Sequence, residues 1–283
     1  MNEIYKLSED GKTLLEVLDK SITYASIPDG ITVIGKEAFE DCKLLECIDI
    51  PNSVTFIDDN AFLGCTSLQT IELPNSIEEL GDRLFQDTSI KHINVPNGLT
   101  TIDKSVFECC YSLQSISIPS SVTKIDNNAF DQCISLKSVY IPDSVTEIGW
   151  WAFIECTALE YIRLSPNIKS ISWGMLDTST SLKHINLPNN ITWIDEEAFS
   201  GCKSLQRIDI PQNVTTISMN AFSFCTSLRE IHSHILEIEN CNINPGAFDN
   251  FDCDNCTLYV PAGTAETYKA HEVFGKFKNI VEE

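Results

Sequence analysis

Twelve cysteines, five histidines and 41 Asp and Glu residues are the groups of this 283-residue chain that could bind a metal, move a proton or act as a nucleophile. Cys253-Asp-Asn-Cys256 has the spacing of half a zinc site, but no second Cys-x-x-Cys or His pair follows at zinc spacing. It also lies outside the strand–helix–strand context of a redox Cys-x-x-Cys, so it reads as a loop. His232-Ser-His234 offers two imidazoles for chelation, yet no His or carboxylate constellation accompanies them, and they read as surface histidines. The chain has no G-x-x-x-x-G-K-[ST], no G-x-S-x-G and no H-E-x-x-H. The expectation is a protein with no catalytic residue, no metal and no cofactor.

The carboxylates are informative in bulk. Against 19 Lys and Arg they leave a net charge of −22. A field of that sign repels phosphate backbones and anionic lipid headgroups, which speaks against nucleic acid and membrane-surface partners. No apolar run approaches the ~18 residues of a membrane-spanning helix, so no membrane insertion is expected. The opening Met1-Asn2-Glu3-Ile4-Tyr5-Lys6 has no basic stretch followed by an apolar one. That predicts a cytoplasmic protein if Met1 is the native start, and a cell-surface or secreted one if the chain lacks its export signal.

The elements that must position these groups repeat. Units begin at Pro28, Pro51, Pro74, Pro96, Pro119, Pro142, Ser165, Pro188 and Pro211, with a period of 23 residues except for the 22 of the unit at Pro74. A fixed period in this range, with Leu-x-x-Ile-x-Leu inside it, predicts a leucine-rich-repeat solenoid. Counting from the Pro, Leu at 18, Ile or Val at 21 and Ile or Leu at 23 point to a short strand ending each unit, stopped by the next Pro. Val or Ile at 4 and Ile or Leu at 7 mark a second extended stretch. Position 8 holds Gly, Asp or Ser, residues preferred at helix N-caps, and Ala-Phe-x-x-Cys after it predicts one α or 3₁₀ turn.

One unit cannot bury enough apolar surface to order itself, so the units must fold as a single cooperative domain with terminal caps. We expect an N-terminal cap over 1–27, with a hairpin around Asp10-Gly11. Nine repeats should follow over 28–233, then a C-terminal cap over 234–283. Residues 234–256 read as irregular, ahead of a strand at 257–261 and a helix over 265–271. The fold class is an α/β repeat, a right-handed solenoid with one parallel β-sheet.

The unit Pro142-Asp-Ser-Val-Thr-Glu-Ile-Gly149, with Ala152-Phe153-x-x-Cys156, resembles the BspA-type (Treponema pallidum-type) leucine-rich repeat. Leu7-Ser-Glu-Asp-Gly-Lys-Thr13 and the stretch from Cys256 to Ile280 resemble the ends of such proteins from Bacteroides-type gut bacteria. The resemblance covers nearly the whole chain. It implies a curved parallel-β solenoid and an interaction role, often adhesive and at the cell surface, without catalysis.

Seven cysteines, 42, 65, 110, 133, 156, 202 and 225, fall at position 15 and predict a ladder of buried, reduced thiols. The outward strand positions 19, 20 and 22 hold six bases and six acids, so this strip is neutral within a strongly acidic chain. Tyr140, Tyr161, Arg163, His184 and Arg207 lie on adjacent coils of the strip and are the candidate partner-binding residues, Tyr and Arg being enriched at interface hot spots. Arg163 and Arg207 suggest an acidic anchor in the partner. Trp150 and Trp173, both at position 9, with Trp193 at position 6, form an alternative patch. The sequence therefore predicts a non-enzymatic scaffold binding a protein on its strand face. The alternative is a glycan- or cell-surface-binding adhesin using the Trp and Tyr rows.

Overall fold

A computed structural model describes residues 4–283. Met1, on which the export argument turns, lies outside the described residues. The chain winds into a parallel solenoid. Its first ladder contains Tyr24–Ser26, Cys47–Asp49, His92–Asn94, Ser138–Tyr140, Tyr161–Arg163 and their equivalents, through to Thr257–Val260 and Asn279–Glu282. These strands occupy positions 20–22, one residue earlier than the pattern suggested, and pair parallel and in register within four successive segments: Val139 faces Ile162, and Ile162 faces Ile185. The second extended stretch also pairs. Val33–Ile34, Phe56–Ile57 and their successors as far as Asn242–Ile243 build a parallel ladder of their own, so the expected sheet is joined by another.

Alternation puts the apolar residues inside. Leu136, Val139 and Ile141 are buried in one coil and Leu159, Ile162 and Leu164 in the next, while Ile116 is only partly buried. The Phe at position 12 stacks on its neighbours, from Phe39 through Phe62, Phe85, Phe107 and Phe130 to Phe153, with centroids 4.9–5.8 Å apart. The stack resumes at Phe199, Phe222 and Phe248. It is interrupted once, where the coil beginning at Ser165 carries Met175-Leu176 in place of Ala-Phe.

The segment expected as a helical turn forms a corner of successive tight turns. It has the i→i+3 bonds of such a turn, as from Ala38 N–H to the Gly35 carbonyl and from Cys42 N–H to the Phe39 carbonyl. The intervening N–H groups instead donate to the next coil: Glu37 to Asp59, Phe39 to Ala61 and Asp41 to Leu63. Turning them outward requires positive φ at positions 10 and 14, found at Glu37 and Asp41 and again at Asn128 and Gln132. Polar side chains satisfy what remains. Asp58, Asp126 and Asp195 at position 8 each accept the N–H of the following residue, much as an N-cap would. Threonines at position 5 form a ladder of their own, Thr146 Oγ1 donating to the Thr123 carbonyl and Thr215 Oγ1 to that of Thr192.

Both ends are closed. Tyr5–Leu7 and Thr13–Val17 make the N-terminal hairpin, its turn held by Gly11 at φ 70°. Residues 234–256, which read as irregular, build a tenth coil instead. Ile243 pairs with Ile217, and Phe248 stacks on Phe222 at 5.2 Å. Its period is stretched to 26 residues between these equivalents, which hides it from a search at 23. Beyond it the Ala265–Ala270 helix and the Phe274–Lys276 turn bring Tyr268, Phe274 and Phe277 over the last core layer.

Candidate functional site

The strand face places the five predicted residues side by side. Tyr161 and His184 are register partners, and so are Tyr140 and Arg163. Arg207 stands at the same repeat position as Tyr161 and His184, one coil further on. Tyr140 is 59% exposed and Tyr161 48% exposed, a large aromatic area facing water on two adjacent coils. The arginines do not present free forks. The Arg163 guanidinium lies 4.5 Å over the Tyr140 ring, meets Asp143 Oδ1 at 2.5 Å and donates to the Ile141 carbonyl at 2.9 Å. Arg207 is held in a bidentate pair with Asp209, at 3.1 and 2.6 Å. The acidic anchor inferred for a partner is therefore corrected: both guanidiniums are already neutralised by carboxylates of their own chain. The same holds for Lys183, which pairs with Glu160 at 2.6 Å.

Beside the tyrosines lies a depression of about 230 Å³, lined by Tyr161, Arg163, Leu164, Pro166, Leu187 and Pro188. It opens where each strand meets the following proline corner, so its floor is apolar. Sequence reasoning missed it, because it forms between two repeats and no residue of one unit marks it.

The tryptophans occupy a different face. Trp150 and Trp173 stand 6.1 Å apart with rings inclined at 58°, and Trp151 lies 4.5 Å from Trp173. Trp150 is 51% exposed and Trp193 48% exposed. Trp173 Nε1 donates to Glu197 Oε2 at 3.3 Å, and Trp193 Nε1 to Ser218 Oγ at 3.0 Å. Trp173 and Trp193 are thus tied to the coil that follows, while Trp150 and Trp193 keep about half of their surface in water.

His232 departs from expectation. It is buried rather than on the surface, stacked at 4.2 Å on Tyr259, with Nδ1 2.8 Å from Glu283 Oε1. The strand Thr257–Val260 pairs beside it and closes it off, while His234 remains exposed. Cys253 is partly buried and Cys256 buried within the last coil, and among the described residues no cluster of three or more His, Cys, Asp or Glu could hold a metal.

Two parallel ladders, a turn-built corner and a continuous apolar core define a leucine-rich-repeat solenoid. Residues 18–137 and 123–257 match the BspA type leucine rich repeat region in six copies, and the chain belongs to that family. No curated protein matches the chain. Among solved structures it is similar to a leucine rich cell surface protein from Faecalibacterium prausnitzii, 25% identical, with 82% of this chain and 94% of that one covered and a TM-score of 0.46. A leucine-rich repeat protein from Bacteroides ovatus is 24% identical, over 99% and 90% of the two chains, with a TM-score of 0.48. The T. pallidum leucine rich repeat protein is 25% identical, over 81% and 89%, with a TM-score of 0.44. No helix among the described residues is long and apolar enough to cross a membrane.

Proposed function

We propose that this chain is a non-enzymatic scaffold that binds a protein partner on its strand face, around Tyr140, Tyr161, Arg163, His184 and Arg207. The observation that carries this reading is the pair of half-exposed tyrosines on adjacent coils, set among Arg163, Lys183 and Arg207, whose charges are paired within the chain. Aromatic area that is rigid and already desolvated on one side is the usual material of an interface hot spot. Because the arginines are neutralised, the partner is held by its apolar side chains. A Leu- or Phe-sized residue fits the depression between Tyr161 and Pro188.

Affinity capture from the native cell identifies the partner. The double change Tyr140→Ala and Tyr161→Ala is then expected to weaken binding by roughly 2 kcal/mol or more. Undiminished binding by that variant would place the interface elsewhere.

A further inference from the structure

Position 10 of every repeat is held at positive φ, a region that bulky side chains avoid. Eight of the nine repeats place a polar residue or glycine there: Glu37, Asn60, Arg83, Ser105, Asn128, Gly174, Glu197 and Asn220. Trp151, at φ 55°, is the exception. In the next coil a Cβ on Gly174 would fall 2.3 Å from Trp151 Cδ1, so the indole occupies space that any other residue at 174 would fill. Trp151 supports Trp173, and Trp173 packs against Trp150. The interior beneath is already closed by Ala152, Phe153, Met175 and Leu176, all buried. Core packing therefore does not account for this cluster.

Its surroundings are acidic and unpaired. Glu197 accepts from Trp173, Glu196 is its neighbour, and Glu155 and Asp177 follow along the same corner. Burial raises the Asp177 carboxyl above its ordinary value, and repulsion from Glu197 and Glu155 adds to this. Among the described residues no Lys or Arg forms an ion pair with Glu155, Asp177, Glu196 or Glu197. An indole face attracts cations through its quadrupole, most strongly where carboxylates reinforce it. Rings inclined at 58° give no common platform for an extended glycan spanning both indoles.

We propose that Trp150 and Trp173, with Glu197 bonded to Trp173 and Glu196 at the equivalent position of the next coil, form a docking site for a Lys- or Arg-bearing segment of a partner protein. This site is separate from the strand face and stands or falls independently of it.

The test titrates the full chain at low ionic strength with a labelled short Arg/Lys peptide. Anisotropy and the indole N–H resonances of Trp150 and Trp173 are followed. Binding is expected to weaken about tenfold in Trp150→Ala and several-fold in Glu197→Gln, to survive in Trp150→Phe, and to be unchanged in Tyr161→Ala. Equal affinity in wild type and Trp150→Ala overturns the proposal, since the net charge of −22 alone would then be drawing the peptide. A neutral oligosaccharide that shifts the indole resonances where the peptide does not also overturns it, in favour of a glycan platform.

Discussion

Cysteine stands at position 15 because that site takes a small side chain carrying one donor. Cys65 Sγ reaches the Phe39 carbonyl at 3.1 Å, Cys133 that of Phe107 at 3.2 Å and Cys225 that of Phe199 at 3.1 Å, each linking a coil to the one before. Where the cysteine is missing a hydroxyl replaces it, as Ser179 donates to the Phe153 carbonyl at 3.0 Å. Cys133→Ser should therefore retain nearly full stability, whereas Cys133→Ala loses the donor and about 1 kcal/mol, measurable by urea unfolding. Burial also raises the thiols, Cys133 well above its ordinary value and Cys110 to about 12, so no thiolate is present at neutral pH. Iodoacetamide should label the ladder only after unfolding, and non-reducing mass spectrometry should find no bridges within it. Asp103 behaves differently from its equivalents at position 8. It makes no bond like those of Asp58 and Asp126, and it is pushed up to about 7 by burial first, then by Asp82, Glu79 and Asp126. A folded value above the unfolded one, about 3.9, means that its ionisation opposes folding. Its contribution is fully present below about pH 4 and is lost as the pH rises through about 7. Asp103→Asn should raise Tm at pH 8 and flatten the fall in stability between about pH 4 and pH 7.

At the scale of the repeat, the coil from Ser165 to Leu187 shows how two substitutions compensate. Leu176 is smaller than the Phe it replaces and Met175 larger than the Ala, so the pair fills a similar volume while breaking the ring stack. Met175→Ala alone should open a cavity and lose about 2–5 kcal/mol. Leu176→Phe alone should overpack by about 1–3 kcal/mol. Together they should restore the stack between Phe153 and Phe199, so the double mutant is more stable than the two losses summed. Calorimetry on all three variants measures that coupling. The repeat was legible in the sequence because its inward positions recur at a fixed spacing, and Leu159, Ile162 and Leu164 lie where that spacing put them. The corner was not. Apolar spacing cannot distinguish a helical turn from successive tight turns, and the positive φ falls on residues as ordinary as Glu37 and Gln132. The candidate residues were legible as types, but their partners were not. Nothing in the sequence shows that Arg163 is spent on Asp143, or that His232 is closed off by Tyr259.

At the scale of the whole molecule, each coil is stable only against its neighbours, so the ends govern the array. Tyr268 ties the C-terminal cap to the preceding coils, its hydroxyl 2.5 Å from Ser233 Oγ and 2.9 Å from the Ile235 carbonyl. Tyr268→Phe should leave two buried polar groups short of a partner and destabilise by about 1–3 kcal/mol. If the array is cooperative, near- and far-end probes will report one shifted transition. Two separate transitions would show that the array unfolds in parts.

The corner has one more consequence. In every repeat the N–H groups at positions 10 and 12 donate toward the C-terminal end, from Glu37 and Phe39 in the first to Asn220 and Phe222 in the last. The peptide groups carrying them are parallel, and each has a dipole of about 3.5 D. Within the corner these rows add coil by coil, as the peptides of an α-helix do. The corner is therefore polarised along the axis, positive toward the C-terminal end, while the N–H groups at positions 5, 8 and 19 donate the other way, as from Thr55 to Thr32, Asp58 to Ile34 and Gln69 to Glu46, and give the strand faces the reverse polarity. Each end thus presents donors on one face and acceptors on another, even before any side chain is counted.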